Sequence, residues 1–220
     1  VVFPQGVRLP GGARHWNAGF RFSNTDDVGY LTTLIRKLQD EHGVSRENVF
    51  ILGLSMGGYM AYHMACRAEI PIRAIASVTG TMGGATWANC PAPAKPSILH
   101  LHGRDDPKVR FDGGVRKFGG GGAPSIPAIA EFWARRLGAR TVAPAVRTPG
   151  VTEWHYRNDE SGDIVRLIAL EGFGHDWPSP KTAGYDALAT IIGFFQMVRR
   201  PVDVRHAKAT RPAAHADRPQ

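Results

Sequence analysis

Val49-Phe50-Ile51-Leu52-Gly53-Leu54-Ser55-Met56-Gly57-Gly58 is the stretch that decides how this chain folds. Its first four residues are a continuous β-branched and apolar run, as in a strand covered on both faces. Three glycines crowd around Ser55, and the helix-forming stretch Tyr59 to Cys66 follows at once. A strand that reverses through Gly-x-Ser-x-Gly into a helix holds the serine in a sharp, strained bend, with its hydroxyl exposed above the sheet. The small flanking residues let the backbone pass that tightly. The same turn leaves the Met56 N–H at a helix N-terminus, where a developing oxyanion is stabilised.

The alternation continues outward from this turn. Upstream, Asp26 and Asp27 open an amphipathic helix with apolar positions Val28, Leu31, Ile35 and Leu38, and Gly43 suits its stop. Downstream, Ile75 to Val78 and Ser97 to His102 read as strands and Ile126 to Leu137 as a helix. Val165 to Leu170 reads as a further strand and Tyr185 to Val198 as a closing helix. Strands alternating with helices predict an α/β chain with a mostly parallel, doubly wound sheet. Val1-Val2-Phe3-Pro4 reads as the end of another buried strand. Gly113 to Pro124 is glycine-rich and reads as a surface loop. Residues 1–200 are expected to form one domain, and residues 201–220, rich in Pro, Ala and charge without periodicity, a disordered basic tail.

A serine hydroxyl needs a base to take its proton as it attacks. In this kind of fold the partners come from the carboxyl ends of later strands, in the order serine, acid, histidine. The strand Ser97 to His102 runs into Gly103-Arg104-Asp105-Asp106-Pro107, and the strand Val165 to Leu170 into Glu171-Gly172-Phe173-Gly174-His175-Asp176-Trp177-Pro178. His175 is thereby the candidate base, and a carboxylate must hold its second ring nitrogen. The residues alone do not separate Asp105 from Asp106. His100 and His102, within and at the end of a strand, read as structural.

Together these segments resemble the polyhydroxybutyrate depolymerase and feruloyl or acetylxylan esterase-like family of α/β-hydrolases. The resemblance runs from Val1 to Pro178. It is carried by Val2-Phe3-Pro4, Trp16-Asn17, Asp26-Asp27-Val28-Gly29, Gly53 to Tyr62, Ala65-Cys66, His102 to Pro107 and Gly174 to Pro178. It implies an α/β-hydrolase fold and a serine ester hydrolase with Ser55, Asp106 and His175 as its triad. It places Asp106 as the acid, three positions after the glycine of His-Gly-x-x-Asp, and Trp16 and Trp177 at aromatic positions that line a substrate pocket. The expected substrates are esters of hydroxyacids or of aromatic acids on plant polysaccharide, with no metal or organic cofactor. Secretion and a Cys66–Cys90 disulfide are further implications; from the residues alone the two cysteines are open between a bond and free thiols.

Two departures stand out. Most members of the family it resembles carry Asn after the nucleophile, whereas this chain has Met56. The family's His-Gly-type loop, which supplies a second oxyanion donor, is expected to be missing together with its strand and the preceding hairpin, so that the chain reads as N-terminally truncated. One lost donor costs roughly 2.7–4 kcal/mol in rate. Other readings of the same residues are a non-catalytic fragment, a binding protein on an esterase shell, or a peptidase or thioesterase of the same fold.

Composition narrows the remaining classes. The 220 residues carry 43% hydrophobic and 21% charged side chains, ordinary for a globular chain. No run approaches the ~20 apolar residues of a membrane span. The net charge of +8 is scattered, with part of the excess in the tail as Arg199, Arg200, Arg205, Lys208, Arg211 and Arg218, and no nucleic-acid motif accompanies it. The expected partner is an ester substrate, not nucleic acid or membrane.

Overall fold

The computed structural model describes residues 1–8, 11–20, 24–92, 94–114, 122–142 and 146–201. The expected tail 201–220 lies outside the described residues beyond position 201, as does the middle of the glycine-rich loop 113–124. The sheet is built around four parallel strands: β3 (Phe50–Leu54), β4 (Ala74–Val78), β5 (Ser97–Gly103) and β9 (Ile164–Leu170). Beyond β9 it continues antiparallel through β8 (Val151–Arg157), which pairs with both β6 (Arg140–Thr141) and β7 (Val146–Thr148). A separate two-stranded ribbon joins β1 (Val7–Arg8) to β2 (Arg14–His15).

Successive residues of the parallel strands point to opposite faces, and each face has its own apolar layer. On one face Ile75, Ile98, Val165, Leu167 and Ala169 pack under α2 (Met56–Arg67) and α4 (Ile126–Arg136), with α1 (Asp27–His42) against the same cluster. On the other, Ala74, Ala76, Val78, Leu99, Leu101 and Ile168 pack under α6 (Ala187–Val198). The helices present matching stripes. Ile126, Ile129, Ala130, Trp133 and Ala134 of α4 are buried at helical spacing, as are Ala187, Ile191, Phe194 and Val198 of α6. Asp26 caps α1 by accepting a hydrogen bond from Gly29 N at 2.8 Å, and Gly43 ends the helix at φ 61°. Such a cap is worth about 1 kcal/mol.

Two expectations are corrected. Val1 to Pro4 forms no strand: Val1 to Phe3 are exposed, because an apolar run with no strand beside it has nothing to pair with. The strand before Ser55 is not covered on both faces. It lies at the sheet edge, among the described residues it pairs only with β4, and Leu52 and Leu54 remain 43% and 42% exposed. The antiparallel extension β6–β8 is compatible with the mostly parallel sheet expected, but the parallel pattern alone does not announce it. The short helices α3 (Gly84–Ala88) and α5 (Pro180–Ala183) were likewise not signalled.

Cys66, at the end of α2, is bonded to Cys90 after α3. The bridge closes a loop of 24 residues' separation, which in the chain-entropy account stabilises by about 3 kcal/mol. The double variant Cys66→Ala/Cys90→Ala is expected to lower the free energy of unfolding by about that amount, read as a lower urea midpoint in an equilibrium unfolding curve. An unchanged midpoint would refute the stabilising role of the bridge.

Candidate active site

Ser55 is the residue between β3 and α2, and its backbone sits at φ 50°, ψ −113°, a left-handed conformation that costs a non-glycine residue of order 1–3 kcal/mol. Packing holds it there. A Cβ added at Gly53 would stand 2.1 Å from the carbonyl group of Gly57, so the strand and the helix start meet at backbone distance. Ser55 N donates to Val78 O at 2.8 Å, which ties the turn to the end of β4. Met56 is the first residue of α2, so its N–H has no acceptor within the helix.

The acid and the histidine come from the ends of β5 and β9, neighbours in the sheet. A Cβ at Gly103 would meet Phe173 O at 2.1 Å, so only glycine lets the turn after β5 lie against the loop that carries His175. Asp105 N donates to Phe173 O at 3.1 Å, and Arg104 Nε to Glu171 Oε1 at 2.7 Å, binding the two loops further.

These elements bring Ser55, His175 and Asp106 together. His175 Nε2 lies 2.8 Å from Ser55 Oγ, and His175 Nδ1 lies 2.8 Å from Asp106 Oδ2. A carboxylate offers only lone pairs, so Nδ1 carries the proton and Nε2 accepts the Ser55 hydroxyl. Asp106 is 3% exposed, whereas Asp105 faces solvent, which separates the adjacent carboxylates. Asp106 Oδ1 accepts from Lys108 N at 2.8 Å and from Val109 N at 2.7 Å. Burial alone would raise this carboxyl. Hydrogen bonds from His102, Val109, His175 and Lys108 outweigh burial and bring its pKa down to about 2. The arrangement can draw a proton from a serine hydroxyl and hold the resulting imidazolium against a fixed negative charge.

The two tryptophans expected to line a substrate pocket lie at different places in the fold. Trp16 stacks on Tyr30 at 6.5 Å between centroids and lines a groove of about 460 Å³ between α1 and β3, whose wall includes Gly57. Trp177 is partly buried against the α6 layer, two residues beyond His175. Among the described residues, no group of three or more His, Cys, Asp or Glu could hold a metal ion. The sequence reading missed the backbone amides of Lys108 and Val109 that fix the acid. Pro107 directly after Asp106 was the available sign of a turn whose amides point back at the carboxylate.

Residues 21–117, a span that includes Ser55 and Asp106, match the phospholipase/carboxylesterase family. The chain has an α/β-hydrolase fold. It is 32% identical over 163 residues to the probable feruloyl esterase C of Aspergillus niger, covering 73% of this chain and 54% of that protein. It is 28% identical over 181 residues to feruloyl esterase B of Piromyces equi, covering 80% of this chain and 33% of that protein. The chain thus spans between a third and about half the length of these two relatives. Among solved structures, Arabidopsis thaliana SOBER1 aligns with a TM-score of 0.51 at 21% identity, covering 90% of this chain and 81% of that one, and shares the fold.

The depressed Asp106 pKa makes an acid-stability prediction. The group is held below its unfolded value of about 3.9, so its contribution is present above about pH 4 and is lost as pH falls toward 2. Thermal midpoints of Asp106→Asn should therefore lose less than the unsubstituted protein does between pH 5 and pH 2. Parallel acid limbs would contradict the assignment.

Proposed function

We propose that this chain is a serine carboxylic-ester hydrolase that works through an acyl-enzyme on Ser55. The reading is carried by one observation, the unbroken contact from Ser55 Oγ through the two nitrogens of His175 to Asp106 Oδ2, each step 2.8 Å. As Ser55 Oγ attacks the ester carbonyl carbon, His175 Nε2 takes its proton and Asp106 holds the imidazolium through Nδ1–H. The carbonyl oxygen becomes an oxyanion, and we assign the Met56 N–H at the start of α2 as its donor. The tetrahedral adduct collapses, the proton passes from His175 to the leaving alkoxide, and the alcohol departs. Water then attacks the acyl carbon with His175 again as base, which releases the acid and restores the serine. No redox step occurs.

The acyl group we assign is an aromatic hydroxycinnamate of the feruloyl type on a carbohydrate alcohol, ahead of acetyl or hydroxybutyrate esters. The support is similarity to relatives named feruloyl esterase in Aspergillus niger and Piromyces equi. An acetyl preference has its own support in 25% identity over 187 residues to a bifunctional acetylxylan esterase/xylanase of Neocallimastix patriciarum. A structural disulfide fits an oxidising compartment, and we place the protein outside the reducing cytosol. No helix among the described residues is long and apolar enough to cross a membrane.

The test is kcat/KM across methyl ferulate, short-chain nitrophenyl esters and hydroxybutyrate oligomers. Methyl ferulate should be hydrolysed best, and Asp106→Asn should lower kcat by about 10⁴-fold while the fold is retained. Hydrolysis of hydroxybutyrate oligomers alone would overturn the substrate assignment, and equal turnover by Ser55→Ala would overturn the reaction class.

A further inference from the structure

His100 and His102 stand two residues apart on β5, so both side chains leave the same face of the sheet. That face lies under α2 and α4, and both imidazoles are buried there. Tyr62, from the helix that begins at the nucleophile, reaches them from above. Its Oη is 2.7 Å from His100 Nδ1, and His100 Nε2 is 2.9 Å from His102 Nδ1. His102 Nε2 lies 2.8 Å from Val109 O and 3.3 Å from Asp106 Oδ2. Three side chains thus form an unbroken file from the nucleophile's helix to the acid that holds His175.

With His102 neutral, proton counting gives the file one direction. Val109 O and the Asp106 carboxylate can only accept, so His102 Nε2 must carry hydrogen. A neutral His102 then accepts at Nδ1, which requires His100 to donate from Nε2 and accept at its own Nδ1. Tyr62 supplies that last proton. Every nitrogen in the file is used, and the His102 Nε2 hydrogen is shared between Val109 O and Asp106 Oδ2. The buried setting agrees with a neutral His100 ring: burial, and then the neighbouring His102, hold it well below the usual histidine value. Burial also pushes the Tyr62 hydroxyl up, so it keeps the proton it donates.

We propose that Tyr62, His100 and His102 are positioning residues that lock the Asp106 carboxylate for His175. The inference rests on the reading of Ser55, His175 and Asp106 as a triad. His102 Nε2–H grips the turn 106–109 at Val109 O while Val109 N donates to Asp106 Oδ1, so both ends of that turn are fixed around the carboxylate. A cation in the place of His102 would be a second counter-ion for Asp106 and would compete with the imidazolium of His175. A neutral donor orients the acid and leaves its charge to His175.

Two measurements test this separately. The ¹⁵N shifts of the imidazole rings in the folded protein at neutral pH need no activity at all. The file requires Nε2 protonated and Nδ1 bare in both His100 and His102; two protonated nitrogens on His102, or a proton on Nδ1 alone, overturns it. The second measurement is nitrophenyl acetate turnover. His102→Leu removes the donor and should lower kcat about 10- to 100-fold with KM unchanged, whereas His102→Gln, which keeps an N–H, should recover much of the loss. Equal losses in the two variants, or none, refute the positioning role. Should His102→Leu fail to fold, Tyr62→Phe deletes one hydroxyl from the far end and should lower kcat about fivefold, and unchanged turnover in that folded variant refutes the file. If the unsubstituted protein hydrolyses no ester, the reaction class fails while the ring shifts still decide the file.

Discussion

Four parallel strands hydrogen-bonded in register, from Phe50–Leu54 through Ile164–Leu170, deliver their carboxyl ends to a single rim of the sheet. Residues far apart in the chain meet there because parallel pairing leaves no other place for their loops to emerge. The nucleophile turn leaves β3, the acid turn leaves β5 and the histidine loop leaves β9. Two backbone approaches too close for any Cβ, at Gly53 and Gly103, convert that shared rim into contact at hydrogen-bond distance. The apolar layers on the two faces hold the sheet, and the sheet holds the geometry.

Strain and charge are placed where the chemistry needs them. Ser55 occupies a backbone conformation that an unrestrained serine avoids, and it does so because β3, α2 and the end of β4 leave it no alternative. Asp106 is buried, which on its own would favour the neutral acid. Backbone amides and two imidazoles reverse that preference, so the carboxylate stays charged where water is excluded. A fixed anion of this kind gives His175 one tautomer and one orientation.

The parts of this arrangement that were legible in the sequence are those encoded locally. Ser55 announced itself through an apolar strand, crowded glycines and a helix, and His175 through its place after Val165 to Leu170. Asp105 and Asp106 could not be told apart by residue chemistry, since the difference lies in which carboxyl the turn buries; the family resemblance pointed to Asp106, and the structure finds that side chain buried and bonded. Val1 to Pro4 misled because an apolar run reports a tendency to pair and not the presence of a partner. β8 was missed because Val151 to Arg157 mixes charge with aromatics and is only half covered. The role of His100 and His102 was hidden for another reason: their spacing showed a shared face, but Tyr62 lies 38 residues before His100 and enters from a different element.

The central claim is that Ser55 is activated by His175 in the folded chain. Labelling with a fluorophosphonate, followed by peptide mass mapping, tests it most directly. The account predicts one phosphonyl adduct, on Ser55, that His175→Ala abolishes. A folded protein that remains unlabelled, or an adduct on another residue, would contradict it.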